Sequence, residues 1–166
     1  MFAFCQWLAS TPWSIALHES IWVYPIIESV HVLTLCLFLG LVVIMDLRLL
    51  GVNMLQTRAS EVVGRLEPWT LAGFIVMVIS GSLLFYAIPV KAYLNIFFRI
   101  KLLFLVLAGL NTLVFHLTIF RQMSAWDLDH RPPWRARLTG ALSLLLWAGI
   151  VVAGRMIAYN WFDKQS

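Results

Sequence analysis

The sequence predicts an all-α protein, a four-transmembrane-helix bundle with a short N-terminal interfacial helix, and three observations carry that prediction. Of the 166 residues, 61% are hydrophobic and only 12% charged, and the mean hydropathy is +0.87, outside the range of ordinary soluble domains. Four apolar runs, about 21–45, 70–90, 102–120 and 138–160, each come close to the ~20 residues that a bilayer helix needs. None shows the two-residue alternation of a barrel strand, and in lipid a backbone must satisfy its own hydrogen bonds, so helices are favoured. Little chain is left over, so residues 1–166 read as a single integral membrane domain.

Taken in order, "ASTPWSIALHES" comes first, with Ser10 or Thr11 as an N-cap and Pro12 at the first helical position. The short helix it starts is rich in Trp and Ile and is expected to lie along the outer interface. The run 21–45 has no Lys or Arg before Arg48, which removes the charged flank of a cleavable signal peptide, so it is expected to stay in the mature protein. Pro25 marks a kink or a new helix start, because a mid-helix proline loses a hydrogen bond and clashes with the preceding turn. The runs 70–90 and 102–120 are each about one crossing long. "DLDHRPPWRARL" is the clearest polar linker, its Pro-Pro pair ending any helix and Trp134 with its arginines suiting the headgroup layer. The run 138–160 then forms the last span.

The net charge of +4 reads as membrane topology, with no nucleic acid partner implied. Arg48, Arg58 and Arg65 fall in the first loop and Arg121, Arg131, Arg135 and Arg137 in the third, while Lys91, Arg99, Lys101, Arg155 and Lys164 fall on the other side. The positive-inside rule puts loops one and three in the cytoplasm and both termini in the periplasm of a bacterial inner membrane. Cys5 and Cys36 are too few and too apolar in setting for a disulfide framework, and no C-x-x-C-H stands for covalent haem attachment. The absence of H-E-x-x-H, G-x-S-x-G and P-loop motifs argues against hydrolysis and phosphoryl transfer.

Ionisable groups inside a membrane segment are costly and are functional candidates by default. Here they are Glu28, His31, Lys101, His116 and Arg155, with His18 and Glu19 close to the interface. Glu28 and His31 lie three apart in "HESIWVYPIIESVHVL" and so share a helix face, where the carboxylate is expected to fix the imidazole's tautomer. Gly109, Thr112 and His116 fall on one stripe of the third span. A small residue two turns from a histidine lets a flat macrocycle approach the backbone while imidazole ligates its iron, as a b-type haem requires. The last span has a similar stripe of Gly140, Ser143, Trp147 and Gly154, which close helix packing explains equally well. Helical rise puts His31 and His116 ~14 Å apart in depth, which favours two sites over one shared haem. The outer site would gather His18, Glu28 and His31, and the inner one would centre on His116. His130, in the basic linker, is expected to be solvated.

The stretches "LHESIWVYPIIESVHVL", "GLVVIMDLRLLGV", "LEPWTLAGF", "NIFFRIKLLFLVLAGLNTLVFH" and "RARLTGALSLLLWAGIVVAGRMIAY" resemble a family of small, uncharacterised bacterial inner-membrane proteins defined only as a domain of unknown function. The likeness spans nearly the whole chain. In layout the sequence also resembles the haem-binding, HemJ-type protoporphyrinogen oxidases and the copper-resistance D family. That resemblance implies roles for His31, Lys101 and His116 at a haem or metal site.

Three functions are expected on these grounds. One is a cytochrome with one or two b haems, passing electrons between quinol and a partner, with His31 and His116 as iron ligands. Another is a copper-handling or other metal-handling protein using His18, Glu28 and His31, with Met156 near the outer side. The third is a structural subunit whose polar residues bond helices together. Smooth Gly and Ser faces suggest a homo-oligomer.

Overall fold

The computed structural model describes residues 2–129 and 131–159; His130, Asn160 and Lys164 lie outside them. The described chain is helical, with no strand among the described residues, and runs α1 (Phe2–Ala9), α2 (Pro12–Glu19), α3 (Val23–Leu50), α4 (Ala59–Ala87), α5 (Pro89–Leu94), α6 (Ile96–Val114) and α7 (Trp134–Met156). Four segments are long and apolar enough to cross a membrane: α3, α4, Ile96–Ala125 and α7. The protein is a multi-pass helical bundle of the membrane type.

Each boundary has a local cause. Thr11 caps α2, its hydroxyl accepting from the Ser14 amide, and Pro12 takes the first turn as expected. A second short helix, α1, precedes it. Pro25 sits in the first turn of α3, where a missing N–H costs nothing, so it marks a new start and not a kink. Gly51, at φ 75°, closes α3 by taking its amide back to the Arg48 and Leu47 carbonyls. Asn95 caps α6 by accepting from the Phe97 and Phe98 amides.

The helices overrun the apolar runs that mark them. α3 continues past Met45 through Asp46 and Arg48, and α4 begins eleven residues before Thr70, so its 29 residues exceed what one crossing requires. The early start of α4 is held from outside. Asp127 accepts from both the amide and the hydroxyl of Ser60, at 2.7 and 2.8 Å, and its own carbonyl takes the Ala59 amide. Arg48, fully buried, donates to the Thr57 carbonyl at 3.1 Å and the Asp127 carbonyl at 2.9 Å. These bonds join loops 51–58 and 126–133 at one end of the bundle. At the other end α1 packs on α5, and α2 holds α4 through Thr11 and Ser14, which bond the hydroxyl and carbonyl of Tyr86.

Three interhelical seams form the body: α3 with α4, α6 with α7 and α3 with α7. Small residues make them close, as expected where lipid gives no hydrophobic drive for association. Gly73 faces Phe38, Gly140 lies on the Asp46 carbonyl, and Gly149 receives the Phe104 ring. A mid-bundle cluster gathers Phe38, Ala108, Leu146, Trp147 and Ile150. The large aliphatic side chains point the other way: Leu33, Leu37, Leu103 and Leu145 are all more than half exposed, as a lipid-facing surface requires. The backbones of α4 and α6 do not approach closely; α4 touches the third span through the stacked rings of Phe85 and Phe98, 5.4 Å apart, through Glu67 beside His116, and at the 3₁₀ turn Phe120–Ala125.

Candidate functional site

Two polar clusters occupy different levels of the bundle. The first is built around His31, eight residues into α3, where the imidazole is half-buried and faces α4. Its Nδ1 stands 2.8 Å from the Ser80 hydroxyl. Ser80 has one proton, and its 2.7 Å bond to the Val76 carbonyl uses it. With that proton on the Val76 carbonyl the hydroxyl would accept from His31, so that Nδ1 carries the ring proton and Nε2 of the neutral ring keeps its lone pair. Gly81 admits the ring: a Cβ there would stand 3.3 Å from Cε1. From α6, Lys101 is close enough to His31 to interact electrostatically, and its Nζ lies against Gly154 of α7. One level thus brings together His31, Ser80, Lys101 and two glycines from all four spans.

The second cluster lines a cavity of 340 Å³ between α3, α4, α6 and α7. Its walls include Phe38, Phe74, Phe115 and Trp147. His116 enters from a single π-helical turn, Phe115–Ile119, in which the Phe120 amide reaches back five residues to the Phe115 carbonyl. Within the turn Thr118 gives its hydroxyl proton to the Val114 carbonyl at 2.6 Å. Such turns recur at functional sites. Across the cavity His116 Nε2 faces Glu67 Oε1 of α4 at 3.6 Å, an ion pair when the ring is protonated. Asp46 lines the same cavity beside Ser143. It is only 6% exposed, and its Oδ2 has no hydrogen-bond partner.

The expected stripe of Gly109, Thr112 and His116 lines this cavity, with open space beside Gly109 where a Cβ would stand. His31 meets α4 at Ser80 and His116 meets it at Glu67, positions separated by ~20 Å of helical rise. A single iron cannot take both. His18 and Glu28 are exposed: the His18 ring lies edge-on to Tyr24, and Glu28 interacts with that same Tyr24, while the bond of His31 goes to Ser80. Arg155 is exposed and donates to the Tyr159 hydroxyl. Among the described residues no three His, Cys, Asp or Glu side chains gather to hold a metal ion, and Cys5 and Cys36 are free. A wider hollow of 730 Å³ opens at the loop end near Arg58, Glu61 and Arg65, but it holds none of the buried polar groups.

Asp46, Glu67 and Ser80 were not singled out by sequence. The first two flank the apolar runs and read as loop residues until the helices are seen to continue through them. Ser80 sits inside a run, where a lone hydroxyl carries no signal without its partner.

A family model matches residues 19–160, most of the chain. The chain belongs to DUF6644, a family of unknown function. The part of this DUF6644 protein that matches takes in α3 to α7 and both polar clusters, and leaves out α1 and nearly all of α2. No curated protein matches the chain, and no solved structure does, so neither comparison returns a haem-binding oxidase or a copper-resistance protein.

Proposed function

We propose that this DUF6644 protein is a membrane haem b protein that passes electrons between quinol and a partner, with His31 as an iron ligand. The observation that supports this is the 2.8 Å bond between His31 Nδ1 and the Ser80 hydroxyl, which engages one ring nitrogen and leaves Nε2 to ligate. A metal-ligating histidine characteristically donates its other ring N–H in this way. The residues around it supply a ligand and a cationic neighbour for the group. Gly81 and Gly154 make room for the His31 ring and the Lys101 ammonium, and Lys101 would supply a second nitrogen or a charge partner for an acidic macrocycle substituent. Bound there, haem b supplies one-electron chemistry whose potential its ligands and surroundings set. The protein's part is to orient the imidazole and to keep bulk water from a site enclosed by four apolar helices.

His116 serves a different role in this reading, since it lies too far along α4 from His31. Copper handling has less behind it, because His18 and Glu28 are exposed and, among the described residues, no cluster of three ligands surrounds His31. The structural-subunit reading draws on the same His31 to Ser80 bond, which ties α3 to α4. We further propose a bacterial inner membrane, with loops 51–58 and 126–133 cytoplasmic and both termini periplasmic, on the strength of the arginines near those loops. Self-association is proposed from Gly40 and Gly64, which leave open notches on α3 and α4 that suit close helix approach.

The test is the absorption spectrum of protein purified from haem-replete membranes. A Soret band lost in His31→Ala, with the variant still inserted, is expected. Wild-type protein that takes up no haem on titration overturns the proposal.

A further inference from the structure

The cavity beside α6 has the features of a built site for a small ring compound. Four independent properties bear on what it takes. Its walls are aromatic, with Phe38, Phe74, Phe115 and Trp147 from all four spans. Its polar groups converge from different helices: His116 and Glu67 stand 3.6 Å apart, beyond ordinary hydrogen-bond length, so each keeps bonding capacity for a guest. Asp46 adds a carboxylate that is 94% buried and whose Oδ2 has no hydrogen-bond partner among the described residues, a deficit that a bound donor would remove. Finally, between the Phe85–Phe98 stack and the 3₁₀ turn the α4 and α6 backbones stay apart, and Gly109 keeps its α6 side bare, so the cavity has an opening there on an apolar flank.

Size and charge narrow the guest. At 340 Å³ the cavity falls at the lower end of the ~300–1,000 Å³ of ligand pockets, which suits a single substituted ring and excludes a tetrapyrrole. Two carboxyl groups disfavour a fatty acid or a phospholipid phosphate. They favour a neutral ring bearing hydroxyl donors, with the imidazole available to a ring oxygen.

We propose that this cavity binds the head group of a lipid-soluble quinol, which enters sideways from the bilayer, with His116 and Glu67 bonding a ring hydroxyl and Asp46 accepting a second hydrogen bond. The assignment deepens the electron-transfer function, on which it rests for its physiological sense, by giving the quinol a place about 20 Å along α4 from His31.

The experiment is calorimetric titration of the full-length protein in detergent with decylubiquinol, decylubiquinone and a saturated ten-carbon alcohol that lacks the ring. Saturable binding of the quinol, tighter than the quinone and absent for the alcohol, is expected. His116→Ala and Glu67→Gln should each weaken it at least about tenfold, about 1.4 kcal/mol, through the loss of a hydrogen bond to the ring. Gly109→Phe, which removes no polar group, should abolish it by filling the opening. Equal binding of the alcohol, or unchanged affinity in all three variants, overturns the proposal. Calorimetry reads no haem, so quinol binding without a Soret band would leave this site standing and remove the haem. The converse result would do the opposite.

Discussion

Replacing Ser80 by Ala separates a ligand-orienting hydrogen bond from one that merely joins helices. Ser80 is 4% exposed, and the substitution deletes one hydroxyl, so little packing changes. What is lost is the 2.8 Å bond to His31 Nδ1 and the bond to the Val76 carbonyl. As helix glue, an interhelical hydrogen bond in a membrane is worth ~0.6 kcal/mol on average and ~1.7 at most. As an orienting bond behind a ligand, its loss weakens affinity ~10–100-fold, or about 1.4–2.7 kcal/mol. Haem titration of apoprotein followed at the Soret band, beside denaturant unfolding of wild type, Ser80→Ala, His31→Ala and the double variant, measures both quantities. The expected result is a large loss of affinity with a small loss of stability, restored by Ser80→Thr, which keeps the hydroxyl. Unchanged haem affinity in Ser80→Ala would refute the reasoning, and a coupling seen only in the unfolding cycle would return His31 to a structural role.

Arg48→Met keeps volume but removes the bonds to the Thr57 and Asp127 carbonyls. It should cost about 2–4 kcal/mol, two charge-assisted bonds less the relief of a buried charge, read as a lower unfolding midpoint in micelles. Gly149→Ala would set a Cβ 2.5 Å from the Phe104 ring, so a loss of about 1–3 kcal/mol is expected, recovered in Gly149→Ala with Phe104→Leu. A periplasm-specific reporter placed in loop 51–58 should be silent, and one placed before Phe2 should be active; the reverse pattern overturns the proposed orientation.

Hydropathy was enough to read four spans, because lipid contact is a property of each residue's own side chain. Helix ends were harder. α4 starts at Ala59 because Asp127, nearly seventy residues away, caps Ser60, and no local pattern announces a partner so distant. The same limit hid Asp46 and Glu67, whose importance comes from facing a shared cavity. The stripe of Gly109, Thr112 and His116 was legible, since helical spacing alone puts the three on one face; that this face meets Glu67 depended on how α4 lies. Glu28 shows the opposite case: three-residue spacing puts it near His31 along α3, but the ring is drawn to α4 and the carboxylate stays outside.

The length of α4 bears on where protons come from. Its 29 residues span ~44 Å, against a hydrocarbon core of ~30 Å, and its apolar part begins only at Thr70. The surplus lies at the end where loops 51–58 and 126–133 are joined; the apolar run starts at Thr70, three residues beyond Glu67, so that Glu67 falls outside the apolar stretch. Asp46, near the far end of α3, reaches a similar level. If the cavity holds a quinol as proposed, a hydroxyl proton released beside them would meet interfacial water within a turn of helix, without a relay through the bilayer, while the ring stays in contact with the hydrocarbon.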